Sequence, residues 1–246
     1  MAMATHFTVI LDDFEEELEA IKILVQASAD PRLGKPRTRV AGANAAVLLL
    51  AATFEEFVRQ MARAFARAVV EACEAYDQLP PRLAAVAWKR TLEGLARMQL
   101  VPQTKTFSRE GVFADALTRF TVIYEFCKGD LTQDVYGDLI HNENNMRPQE
   151  INSLFKLSGL NNVCQLTSTF PALMDFVSET EPGKANGRLV ERLEDFFERR
   201  NQVAHSINAM RSSGPEQING DIELLTTFGR ALAATLGEKT SPGSAS

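Results

Sequence analysis

From Ala41 to Tyr76 the chain runs without a proline and is rich in alanine and leucine, the composition of one long, uninterrupted helix. A scaffold helix of that length constrains the fold more than any other feature of the sequence. Ahead of it, Phe7, Ile10, Leu11, Phe14, Leu18, Ile21 and Val25 recur three and four residues apart, the stripe of an amphipathic helix over Phe7 to Ala29. Pro31, Gly34 and Pro36 separate the two helices, and Gln78-Leu79-Pro80-Pro81 closes the long one.

Two more helices are predicted over Arg82 to Met98 and Phe113 to Phe126, joined by a polar stretch containing Pro102 and Gly111. Lys128 to Arg147 reads as an irregular connection. Pro148-Gln149-Glu150 suits the first turn of a short helix through Leu157, since proline fits the first helical position and acids favour the N-terminus; Gly159 ends it. After Pro182-Gly183, Arg188 to His205 is periodic through Leu189, Leu193, Phe196, Phe197 and Val203, and a last helix covers Pro215 to Leu236. The tail GEKTSPGSAS reads as a frayed terminus. No segment alternates with period two, so the fold class is all-α, a helical bundle with accessory N- and C-terminal helices. The expected division is residues 1–36 as acidic helix and linker, 37–238 as the main helical domain and 239–246 as a flexible tail.

With 246 residues, 45% hydrophobic and 24% charged, the chain has the make-up of a globular protein with a sizeable core. Cys73, Cys127 and Cys164 are odd in number and widely spaced, which excludes a disulfide scaffold or zinc cluster and points to a reduced, cytoplasmic setting. The most apolar run, Ala45 to Ala52, is shorter than the roughly 20 residues that cross a bilayer, and the N-terminus lacks a basic start and cleavable apolar core. No membrane association is expected. The net charge of −6 argues against coating nucleic acid through bulk electrostatics. Yet residues 1–29 carry one basic and six acidic side chains, and residues 30–110 carry thirteen basic and eight acidic, so a local groove for phosphate is compatible with the whole.

Several chemistries are excluded by motif. There is no GxxxxGK[ST], GxGxxG, HExxH or GxSxG, and His6, His141 and His205 are too few for a multi-histidine metal site. The informative segment is Glu198-Arg199-Arg200-Asn201-Gln202-Val203-Ala204-His205, at the end of an amphipathic helix. Arginine stays charged and forks onto phosphate oxygens, and histidine titrates near neutrality. At 3.6 residues per turn Asn201 and His205 share a face, whereas Arg200 lies about 140° from His205, so Arg200 must reach round or the helix must distort.

Arg200-x4-His205, with Asn201 after the arginine, resembles the R-x4-6-H motif of the HEPN superfamily. Ala45 to Met61 (AAVLLLAATFEEFVRQM) resembles the early helix of HEPN domains of the RiboL-PSP type, and Asn144 to Val163 (NNMRPQEINSLFKLSGLNNV) resembles the segment that precedes the motif helix there. The resemblance spans roughly residues 40–235. It implies metal-independent endoribonuclease activity without a cofactor, in a toxin or antiviral-defence effector. It further implies a homodimer in which each subunit adds one Arg/His set to a shared cleft, RNA as substrate, and an antitoxin or regulatory partner. Within it His205 transfers protons, Arg200 contacts phosphate, and Asn201 orients His205 or binds phosphate. Ile207 stands where HEPN toxins controlled by AMP transfer carry tyrosine, so that regulation is not implied. The alternative is a non-catalytic HEPN-like module binding RNA, nucleotide or protein, with His205 capping a helix C-terminus and Arg200 paired to Glu55 or Glu56.

Glu55 and Glu56 are candidates to tune the site, and Arg199 is a further candidate beside it. Arg59, Arg63 and Arg67, four residues apart, form either an RNA groove or, as the commoner outcome, a solvated face with a Glu55–Arg59 pair. His141, Glu143 and the neighbouring asparagines read as a locally hydrogen-bonded turn, and Trp88 and the phenylalanines read as core.

Overall fold

The computed structural model describes residues 2–98, 109–141, 145–205 and 213–240. Among them are ten α-helices and no strand: α1 (Ala2–Ala29), α2 (Pro36–Glu71), α3 (Pro81–Arg97), α4 (Arg109–Cys127), α5 (Tyr136–Leu139), α6 (Pro148–Leu157), α7 (Val163–Thr167), α8 (Pro171–Phe176), α9 (Pro182–His205) and α10 (Pro215–Thr240). The protein is therefore all-α.

The chain forms two compact units. The first comprises residues 1–61, 144–153 and 161–246 and holds α1, the N-terminal part of α2, and α7 to α10. Its core follows from the periodicity of α1: Phe7, Phe14, Leu18, Ile21 and Val25 are all buried, and α1 lies along α10. Phe14 stacks on Phe57 of α2 with ring centroids 4.1 Å apart, and Phe54 packs against Phe197 of α9 and edge-on against Phe228 of α10. The aromatic cluster thus locks α2 to α9 one residue before Glu55.

The second unit comprises residues 62–143 and 154–160, with α3 packed on both α4 and α5. Its core includes Phe65, Leu83, Ala87, Ile123, Phe126, Leu139 and Phe155. The connection after α4 is held by arginines. Arg119 pairs with Asp138 at 2.7 Å, Arg67 pairs with Asp134 at 3.0 Å, and Arg90 donates to the carbonyls of Leu139 and His141.

Several boundaries differ from the sequence-based expectation. The long helix spans Pro36–Glu71 instead of starting at Ala41 and ending at Tyr76, because Pro36 fits the first helical turn and the far end is unwound. There the Cys73 N–H turns back to the Val70 carbonyl, and the Glu74 N–H is taken by Gln78 Oε1. Gly111 lies inside α4, and the rest of the polar stretch before it, with Pro102, is outside the described residues. Pro182 opens α9 where a break was expected, and α7 and α8 were not anticipated. α10 runs on to Thr240, whose hydroxyl donates to the Leu236 carbonyl at 2.9 Å, so the first part of the tail is helical. Pro148 and Gly159 bound α6 as expected, Gly159 taking φ +90° just beyond it.

α2 is the one helix among the described residues that is long and apolar enough to cross a membrane by length and composition. Its Ala46, Val47, Leu50, Ala51, Phe54, Phe57, Val58 and Met61 are buried inside the protein, as a core helix requires.

Gly229 on α10 is set by close approach: an added Cβ would lie 3.1 Å from Phe14 Cε1 and 3.3 Å from Phe57 Cζ. Alanine gains up to about 1 kcal/mol in helix propensity, but forcing a methyl against two stacked, buried rings costs about 1–3 kcal/mol. Gly229→Ala is therefore expected to destabilise by about 1 kcal/mol in urea unfolding. Gly220→Ala on the same helix, with nothing within 4 Å of its added Cβ, is expected to stabilise.

Candidate active site

The polar cluster forms where α2, the residues before α6, and the end of α9 meet. On α9 the residues Leu189, Leu193, Phe196 and Phe197 face the core, and on a regular helix Arg200 continues that inner face. This explains why the Arg200 side chain is half-buried, with Nε enclosed and unpartnered among the described residues. It reaches the region of Glu55, which follows Phe54 on the facing helix.

Burial pushes the Glu55 carboxyl above its ordinary range, and the charges of Arg200 and Arg59 and the Met146 backbone N–H pull it back. Glu55 Oε1 is buried without a hydrogen-bond partner among the described residues. A half-buried carboxylate within electrostatic reach of Arg200 offsets part of the guanidinium charge.

A second face of α9, about 125° round the helix, is polar. Glu194, Glu198, Asn201 and His205 follow one another at intervals of four, three and four, which aligns them within about 60° on one face. Asn145, Met146 and Arg147 run along this face. Arg147 pairs with both Glu194 and Glu198, and Asn145 Nδ2 donates to Asn201 Oδ1 at 2.7 Å. The same Asn201 oxygen accepts Arg200 Nη1 at 3.3 Å. Helix α9 is regular through His205, so the arginine reaches round, and Asn201 is the group that receives it.

His205 is the last residue of α9, exposed, at the C-terminus where the helix dipole favours a cation. Among the described residues nothing hydrogen-bonds its imidazole. Ile207 lies outside the described residues.

Other candidates fall elsewhere. Arg199 is turned away from Arg200 and pairs with Asp221 of α10 at 2.6 Å, where burial pushes the Asp221 carboxyl up and Arg199 pulls it down. Arg59 pairs with Glu56 at 2.9 Å, three residues back, in place of the expected four-residue pair, while the half-buried Glu55 carboxyl still feels the Arg59 charge. Arg63 and Arg67 belong to the second unit and are half-buried; Arg67 lies over the Tyr136 ring and pairs with Asp134. The row is thus neither a solvated face nor an unengaged basic groove. His141 is exposed, and Glu143 is outside the described residues.

Asn145 and Arg147 were missed as site residues. The expected local turn exists, with the Arg147 N–H on the Asn145 carbonyl at 2.8 Å, but the Asn145 side chain is committed to a residue 56 positions away. The four-three-four polar spacing on α9 was the available signal.

The RiboL-PSP-HEPN family matches residues 11–238, nearly the whole chain. The chain belongs to that family. Membership ties this HEPN domain to nuclease and RNA-related functions. The match takes in both sequence stretches and the Arg200-x4-His205 motif. No curated protein and no solved structure gives a match.

Proposed function

We propose that this HEPN domain is a metal-independent endoribonuclease, a toxin or antiviral-defence effector, acting as a homodimer with a composite site. The reading is carried by one observation: Arg200 donates to Asn201, itself fixed by Asn145, while the His205 imidazole is exposed one turn further along the same helix.

Cleaving RNA in this way needs a base for the 2′-hydroxyl proton, an acid for the leaving 5′-oxygen and a cation for the phosphate oxygens. The 2′-oxygen attacks phosphorus as one histidine takes its proton. The bond from phosphorus to the 5′-oxygen then breaks as the other subunit's histidine donates a proton, leaving a 2′,3′-cyclic phosphate and a 5′-hydroxyl. Arg200 from each subunit bears on the phosphate, Asn201 orients Arg200, and Glu55 balances it from the buried side. RNA is the substrate, and an antitoxin or regulatory partner keeps such an activity in check.

The composite site is tested through its symmetry. A variant proven monomeric by sedimentation is expected to lose cleavage as fully as His205→Ala. Full activity in a monomer contradicts the shared site.

A further inference from the structure

The oxygen of the Asn201 amide is held from two sides. Arg200 Nη1 donates to it at 3.3 Å and Asn145 Nδ2 at 2.7 Å. A guanidinium carries donors and no acceptor, so the atom that faces Arg200 is the amide oxygen. The atom that Asn145 offers to the same oxygen is, by the same logic, its own Nδ2. One donor-only group thus sets the orientation of two amides in series. The Asn201 Nδ2 hydrogens are left over. Among the described residues they have no partner, and unlike Arg200 Nε this nitrogen is not enclosed. Asn201 shares its face of α9 with His205, one turn further on.

Asn145 is itself firmly placed. The next residue, Met146, is fully buried, and the Arg147 N–H donates to the Asn145 carbonyl at 2.8 Å. The Arg147 side chain pairs with Glu194 and Glu198, which ties this short segment to the helix that carries the site. The same pairing keeps the two carboxylates of that face engaged, so less negative charge confronts an approaching anion.

We propose that Asn145 is a positioning residue for phosphate: by holding the Asn201 oxygen it turns the Asn201 Nδ2 hydrogens outward, so that this face of α9 meets a phosphate oxygen with hydrogen-bond donors. Asn201 turned the other way would aim carbonyl lone pairs at that oxygen and set two acceptors against each other. Donors fixed in place before the substrate arrives need no reorganisation as charge develops on the phosphate. The reaction that this arrangement serves rests on the ribonuclease reading, whereas the orientation of the amide follows from Arg200 and Asn145 alone.

The test reads cleavage of single-stranded RNA by the full chain beside the side-chain amide signals of Asn201 in isotope-labelled protein, assigned by their loss in Asn201→Asp. Asn145→Asp is close to asparagine in size but puts an acceptor where a donor is needed. It is expected to keep the wild-type far-UV spectrum and to lower kcat/KM by about 10²-fold, the usual loss for one donor to a developing charge. Asn145→Ala, which removes the donor without opposing the amide, is expected to lose about tenfold. In an Asn201→Ala background Asn145→Asp is expected to change kcat/KM by less than about twofold, because Asn145 acts through Asn201. Inorganic phosphate is expected to shift the Asn201 amide signals of wild type and not those of Asn145→Asp. Folded Asn145 variants that cleave like wild type, an Asn145→Asp loss undiminished in the Asn201→Ala background, or wild-type Asn201 signals indifferent to phosphate overturn the proposal. Wild type that does not cleave, yet shows the phosphate shift and loses it in Asn145→Asp, overturns the ribonuclease reading and upholds the positioning of Asn201 toward phosphate.

Discussion

His205→Ala is expected to lower RNA cleavage by about 10²- to 10⁴-fold, the usual contribution of a positioned acid or base. Stability is expected to change by less than about 0.5 kcal/mol. The two halves of this expectation have separate causes. The imidazole sits at the last position of α9, exposed, with no hydrogen bond from the described residues, so the fold loses only a favourable interaction with the helix dipole. Its accessibility is what a proton-transfer group needs at a cleft shared with another subunit. A parallel measurement of turnover and thermal unfolding checks both. A large drop in melting temperature with intact turnover would make His205 a structural cap.

Arg199→Ala is expected to do the reverse, costing about 3 kcal/mol of stability, because it strands a carboxylate. The Asp221 side chain is only 6% exposed and keeps Gln217 Nε2 at 3.2 Å, while the nearby charge of Asp195 works against it. For a chain of this size the loss corresponds to roughly 10 °C in melting temperature. The pH dependence has a definite sign. Asp221 is already held above its ordinary value by burial, and removing Arg199 removes the main charge that pulls it down. The native variant then binds the proton more readily than the unfolded chain, so its unfolding free energy rises as pH falls through the raised value. The deficit against wild type is therefore largest at neutral pH and narrows on acidification. Arg199→Met with Asp221→Leu is expected to recover most of the loss, since an apolar pair of similar volume replaces a buried ion pair at little cost.

The contrast between Arg199 and its neighbour shows how far the chain itself reveals the site. Periodicity alone identified the core faces of α1 and α9, because Phe14, Leu18, Phe196 and Phe197 recur at helical spacing and nothing else satisfies them. The same periodicity leaves two adjacent arginines indistinguishable. Arg199 is taken by Asp221 of α10 and Arg200 faces Glu55 of α2, and both partners are remote in sequence. Asn145 is a similar case: an asparagine before a proline-initiated helix reads as a turn, and only tertiary packing brings it to Asn201. Trp88 and Phe120, read as core from their spacing, are each more than a third exposed, because helical spacing marks an apolar face without saying what covers it. Short helices such as α7 and α8 carry too few turns for any periodic signal.

The central claim is tested most directly by incubating purified wild type and His205→Ala with total RNA and tRNA in EDTA, then identifying the end groups. Fragments ending in 2′,3′-cyclic phosphate from wild type and absent with the variant are the predicted result. No cleavage by wild type, with both proteins folded and dimeric, would contradict it and leave a module that binds RNA, nucleotide or protein without cutting.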